Sequence, residues 1–90
     1  MKYHAKADRN QPTIVAAFRA AGFTVQHLHT VGRGCPDLAV GRGGVTTLVE
    51  IKDGNKDLTE AEKQFFSSWR GSATVVRSID DVVELAKLLP

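Results

Sequence analysis

Glu50 and Lys52 stand two residues apart at the end of an apolar run, and Asp37 precedes Glu50 by thirteen residues. Side chains along an extended strand alternate faces, so Leu48, Glu50 and Lys52 share one face and Val49 and Ile51 the other. Taken alone, such an acid and base mark the point where a strand leaves the core and its charges meet water. Pro36-Asp37 changes that reading, because it opens another short strand one hairpin upstream and pairing can bring Asp37 beside Glu50. Two converging carboxylates repel unless positive charge lies between them. Hard oxygen donors suit Mg²⁺ or Mn²⁺, ions that keep several waters and share phosphate oxygens with a substrate. Lys52, next to such an ion, could position a water or offset charge on phosphorus. The chemistry expected of the trio is hydrolysis of a phosphodiester.

These residues need a scaffold, and the chain supplies its signals in order. Asn10 is an N-cap candidate, Pro12 falls in the first turn, and Ile14, Val15, Phe18 and Ala21 recur at helical spacing up to Gly22. A first helix is expected over Pro12–Ala21. Phe23 to His29 alternates apolar and polar residues and predicts a strand. Gly32-Arg33-Gly34-Cys35-Pro36 is a turn, Asp37 to Val40 a second strand, Gly41-Arg42-Gly43-Gly44 a hairpin turn and Val45 to Lys52 a third strand. A polar loop from Asp53 to Asp57 follows. Thr59 and Glu62 form a capping box for a second helix reaching about Trp69, with Ala61, Phe65, Phe66 and Trp69 as its apolar stripe. Ala73 to Arg77 predicts a fourth strand. Ser78 or Asp80 caps a last helix whose broad apolar face either closes the core or forms part of a dimer seam.

The order α-β-β-β-α-β-α predicts one α/β (α+β) domain over the 90 residues, ordered from about residue 8 to 89. The first three strands form an antiparallel meander, and the crossover through the second helix lays the fourth parallel to the third. A domain this short buries roughly 60–65% of its unfolded surface, so its core is thin and pairing with a second copy would add burial. One cysteine, Cys35, excludes an internal disulfide framework or a thiolate zinc cage within one chain. The basic start precedes no apolar h-region and no run approaches the ~20 residues that span a bilayer, so a cytoplasmic protein without a membrane partner is expected. A net charge of +2, with Lys2, Lys6, Arg9, Arg33 and Arg42 in the first half, fits either an anionic partner or an ordinary mixed surface.

Pro36-Asp37 followed by Glu50-Ile51-Lys52 resembles the PD-(D/E)xK signature of restriction-type nucleases, and the order of elements matches that superfamily's core. Asn10-Gln11, Ile14-Val15, the stretch from Val31 to Leu38, Val49 to Gly54, Leu58-Thr59 and Trp69-x-Gly71 further resemble the minimal VRR-NUC proteins of phages and bacteria. The resemblance implies a Mg²⁺- or Mn²⁺-dependent endonuclease with no small-molecule cofactor, similar to Holliday-junction resolvases and acting on DNA as a homodimer. Asp37 and Glu50 would bind metal with the Ile51 carbonyl, and Lys52 would serve the attacking water. Where the family often carries an acidic residue on the first helix, this chain has Thr13, and Gln11 would reach the site instead. A four-way junction suits a two-fold dimer presenting two equivalent sites. Two alternatives stay open: a non-catalytic DNA-binding or assembly module that kept the fold, and the nuclease subunit of a restriction or helicase-linked system.

Several residues carry secondary expectations. Arg33, in its glycine-rich turn, is a candidate for DNA phosphate, as are Arg42 and Lys56 in loops flanking the third strand. His27 and His29 share a strand face. With no third soft ligand nearby they read as sheet-surface residues, His29 being the better candidate for DNA contact. Cys35 reads as a small packed residue. Gln64 is a polar candidate on the second helix, and Phe65, Phe66 and Trp69 are assigned to core packing.

Overall fold

The computed structural model describes residues 9–90. Lys2 and Lys6, counted above in the basic first half, lie outside the described residues, as does the first residue of the predicted ordered range, Asp8. The elements run α1 (Gln11–Ala20), β1 (Thr24–His27), β2 (Leu38–Arg42), β3 (Val45–Ile51), α2 (Glu60–Ser68), β4 (Ala73–Val76) and α3 (Ile79–Leu88). They form one four-stranded mixed sheet, in the order β1-β2-β3-β4, flanked by helices. β1, β2 and β3 are an antiparallel meander and β4 lies parallel to β3, as the crossover rule requires. Among the described residues, no helix is long and apolar enough to cross a membrane.

The β2–β3 hairpin sets the register of the sheet's centre. Arg42 pairs with Val45, so the loop is Gly43-Gly44 alone, with φ of 59° and 79°. Positive φ at both loop residues is the requirement of the tightest hairpin turn, which glycine meets without a Cβ penalty. From that turn the register runs back to Leu38 opposite Val49. Asp37 is thereby carried to the end of β3 where Glu50 and Lys52 sit.

The core lies on the sheet face covered by α1 and α3. Ile14, Val15 and Phe18 from α1 meet Leu38, Val40, Val49, Ile51 and Val76 from the strands and Val82 from α3. Phe18 packs edge-on against Phe23 at 5.3 Å between centroids, within the usual range for such pairs. One side of α3 completes this core through Val82, Leu85 and Ala86, while Ile79, Val83 and Leu88 face solvent.

Three local expectations are corrected. Asn10 precedes α1 but its side chain does not cap it; the amide instead donates to the carbonyls of Lys52 and Arg77, both at 3.2 Å. Pinning α1 to the ends of two strands satisfies buried strand carbonyls that a local cap would leave unpaired. The second correction concerns α2, which buries none of its residues. Phe65 stacks on Trp69 at 5.1 Å, but Trp69 is 46% exposed, so this stripe packs on itself and lies outside the core. The capping box at its start is as expected: Thr59 Oγ1 accepts from the Glu62 N–H and Glu62 Oε1 accepts from the Thr59 N–H.

The third correction is Arg42. Its Nε donates to the Pro90 carbonyl (2.7 Å), Nη1 to Ala21 (2.8 Å), and Nη2 to Ala86 (2.6 Å) and Leu89 (3.0 Å). The guanidinium also lies 4.3 Å from the centre of the Phe23 ring. It closes the orphaned carbonyls at the ends of α1 and α3, where a cation is favoured. Four of its five N–H donors are so engaged within the fold, and it sits at the far end of the hairpin from Asp37.

Candidate active site

Asp37, Glu50 and Lys52 come together at one end of the sheet. Strand alternation, with Leu38 and Val49 paired on the core face, puts all three on the other face, the one toward α2. Asp37 Oδ2 accepts from the Ile51 N–H at 2.8 Å, which fixes the carboxylate across the open end of the hairpin. The Leu28 N–H donates to the Asp37 carbonyl at 2.7 Å, tying the same residue to the segment that leaves β1. The reading of Glu50 and Lys52 as a solvated pair does not hold: they are 3% and 7% exposed.

A fourth charged group, Glu62 of α2, joins them. Its Oε1 lies 2.8 Å from Lys52 Nζ, closer than the 3.6 Å that separates Lys52 from Glu50 Oε2. Burial, then the charges of Asp37 and Glu62, raise the Glu50 carboxyl to about 9, against the smaller opposing pull of Lys52. At neutral pH the metal-free site therefore holds Glu50 as the neutral acid. Burial pushes Glu62 up as well, but the hydrogen bonds from Lys52 and from the Thr59 N–H outweigh it and hold Glu62 below the usual range. Of the two Glu50 oxygens, Oε1 is buried with no hydrogen-bond partner. A carboxyl oxygen left in that state costs stability unless a ligand meets it.

In the sequence Glu62 reads as a helix cap and nothing more. The capping box was the available signal, since it fixes where the Glu62 side chain begins. Reach to Lys52 depends on how α2 folds back over β3. Gly34 helps set that distance: it has φ of 77°, and a Cβ there would run into the backbone of Ala61 at the start of α2. The turn before Asp37 and the first turn of α2 are thus in direct contact.

The donor set fits a hard divalent cation. Asp37, Glu50 with its unpartnered oxygen, and the Ile51 carbonyl offer only oxygen, the preference of Mg²⁺ and Mn²⁺. Among the described residues, no group of three or more His, Cys, Asp or Glu is placed to hold a metal ion. Gln11 is 5% exposed at the head of α1, its Oε1 also unpartnered. Thr13, two residues further on, is exposed.

The remaining candidates divide. Lys56 is exposed in the loop after β3, which Arg77 braces through the carbonyls of Gly54 and Lys56. His27 and His29 are exposed, with ring centres 6.1 Å apart. Gln64 is exposed, and the α2 side chain that meets Lys52 is Glu62 in its place. Cys35 is half-buried, and burial followed by the charges of Glu50 and Asp37 pushes its thiol up, in keeping with a packed residue.

Arg33 is exposed and adopts φ of 58°, between Gly32 and Gly34, which are also at positive φ. A side chain in that conformation costs about 1–2 kcal/mol. Arg33→Gly is expected to leave the melting temperature unchanged or raised by a few degrees. It is also expected to weaken DNA binding and to reduce the slope of log K against log salt by about one. Salt-dependent binding titrations beside thermal melts check both halves; an unchanged slope removes Arg33 from the interface.

Comparison with family models, with curated proteins and with solved structures finds no match for this chain.

Proposed function

We propose that this protein is a Mg²⁺- or Mn²⁺-dependent endonuclease that hydrolyses DNA, of the VRR-NUC type, and that it acts on branched DNA as a homodimer. The observation that carries the reading is Glu50: a buried carboxyl with an unpartnered oxygen, crowded by a second carboxylate and an ammonium. Such a cluster opposes its own assembly, and a bound cation relieves it.

Asp37, Glu50 and the Ile51 carbonyl would hold the ion. When bound, it supplies Lewis-acid polarisation of a phosphate oxygen and a lowered pKa for coordinated water. The residues do the rest. The Ile51 N–H keeps Asp37 in place. Glu50 releases its proton to bind. Lys52 presents its ammonium to the water or to the charge that develops on phosphorus, with Glu62 and the Thr59 backbone holding it from behind. Water adds across the P–O bond and leaves a 5′-phosphate and a 3′-hydroxyl.

One observation favours the second reading, a DNA-binding module that kept the fold. Lys52 leans toward Glu62 rather than Glu50. Cleavage of a labelled four-way junction beside a linear duplex of matching sequence, in Mg²⁺, Mn²⁺ or EDTA, separates the two. Symmetric, metal-dependent nicking of the junction is expected, and Lys52→Ala lowers it roughly 10²-fold or more while a melt confirms folding. Equal cutting of both substrates keeps the nuclease and discards the preference for branches. DNA binding without cutting in any metal makes the protein a binding module.

A further inference from the structure

The core side of the sheet carries a second feature at the same end as the carboxylates. An open groove of about 600 Å³ lies between α1 and the end of β1, lined by Val15 and Ala16 together with Gln11, Arg19, His27 and His29. Its volume is in the range of small-ligand pockets, roughly 300–1,000 Å³. β1 pairs His27 with Leu38, so His27 and His29 share the α1 face while Asp37, Glu50 and Lys52 occupy the opposite one. The groove therefore lies across the sheet from the site, at the same end. Two hydrogen bonds tie its walls to the site. Leu28, between the histidines, donates to the Asp37 carbonyl, and Asn10, the neighbour of Gln11, donates to the Lys52 carbonyl.

The lining defines the ligand. Among the described residues the groove lining holds no carboxylate and one guanidinium, Arg19, so the charge complement is an anion. The apolar part and the two rings, set edge to face at 80°, suit a flat unsaturated group. Gln11 is 5% exposed and its Oε1 has no partner, so a donor from the ligand would meet an acceptor already desolvated. A flat ring with an exocyclic amine, attached to a phosphate, is a nucleotide.

We infer that this groove receives an unpaired nucleobase of the DNA strand, at the same end of the sheet as the proposed cleavage site. Gln11 Oε1 accepts from the base's exocyclic amine, the imidazoles pack on its ring and Arg19 pairs with its phosphate. This rests on the proposed nuclease reading and adds the substrate class: DNA with an unpaired nucleotide beside the cut. A base in a continuous duplex reaches the groove only by leaving the stack, at a cost of a few kcal/mol.

The test is made in EDTA, so that no chemistry intervenes. The full chain is titrated into a short single strand carrying one 2-aminopurine, reading its fluorescence and anisotropy, and into a duplex carrying the same base paired. The variants are Ala16→Leu, which fills the groove from an exposed helix position, and the double change His27→Ala with His29→Ala, each checked by melting. Expected is a fluorescence change with the single strand and none with the duplex, both variants binding the single strand about tenfold more weakly. Equal binding by the variants, an equal response from paired and unpaired 2-aminopurine, or no binding of the single strand overturns the inference. A wild type that shows these fluorescence effects yet cuts no junction retains the groove and loses the nuclease. One that cuts, but shows none of them, does the reverse.

Discussion

Glu50→Gln is expected to stabilise the metal-free protein and at the same time to lower metal-dependent cleavage roughly 10²–10³-fold. Both effects follow from the carboxyl being raised to about 9 by burial and by its acidic neighbours. The unfolded chain ionises this group near its ordinary value of 4.5, whereas the folded protein keeps it protonated up to about 9. Between those limits folding takes up a proton, so stability falls as pH rises, with a slope approaching about 1.4 kcal/mol per pH unit for one proton. Below about pH 4.5 the contribution is fully present, and it is lost by about pH 9. Glutamine has no such proton to take up. In EDTA, the melting temperature of the variant should therefore exceed that of the wild type by a margin that widens from pH 5 to pH 9. Mg²⁺ or Mn²⁺ should raise the wild type's melting temperature, more so at higher pH where less proton competes, and leave the variant's nearly unchanged. A margin constant with pH would place the Glu50 proton elsewhere, and an equal metal response in both proteins would remove Glu50 from the ion.

The second large effect lies far from the chemistry. Arg42→Lys keeps the charge but has one nitrogen where arginine uses three, against four carbonyls contributed by Pro90, Ala21, Ala86 and Leu89. At least one charge-assisted hydrogen bond is lost and the others lose the fixed fork that aims them, along with the guanidinium's place 4.3 Å from the centre of the Phe23 ring. A loss of about 2–4 kcal/mol is expected. In a domain of this size that lowers the melting temperature by roughly 10–20 °C. Below that temperature, junction binding should match the wild type. If instead stability is preserved and binding falls, Arg42 contacts DNA after all.

Much of the scaffold is legible in the sequence because its signals are local. The Gly43-Gly44 turn, the Thr59–Glu62 capping box and the period-two run of β3 each depend on a few neighbouring residues, and together they fix the order and register that bring Asp37 to Glu50. What escapes the sequence is where long side chains end. Arg42 reads in the sequence as part of a turn open to an anion, yet it ends β2 and its partners include Ala86, Leu89 and Pro90, more than forty residues away along the chain. Asn10 has the right type and place for a cap, but two strand carbonyls outbid the helix for its amide. Phe65 and Trp69 keep core spacing, i and i+4, and still stack on one another at the surface. Glu62 satisfies its local role completely, which gives no cue that the same oxygen also meets Lys52.

The hairpin from Asp37 to Lys52 has a consequence for how the protein comes together. Its chemical groups are neighbours along the chain, joined by a two-glycine turn and by the Asp37–Ile51 hydrogen bond. Closing so short a loop carries little entropic penalty, and contacts between near neighbours form fast. The carboxylates and the lysine should therefore be assembled early in folding, before α1 and α3 dock to seal the core. Glu62 and Gln11 arrive later, with the helices that bear them. The hairpin is in this sense a self-contained cassette: the segment that carries the three groups is closed by its own turn and its own hydrogen bond.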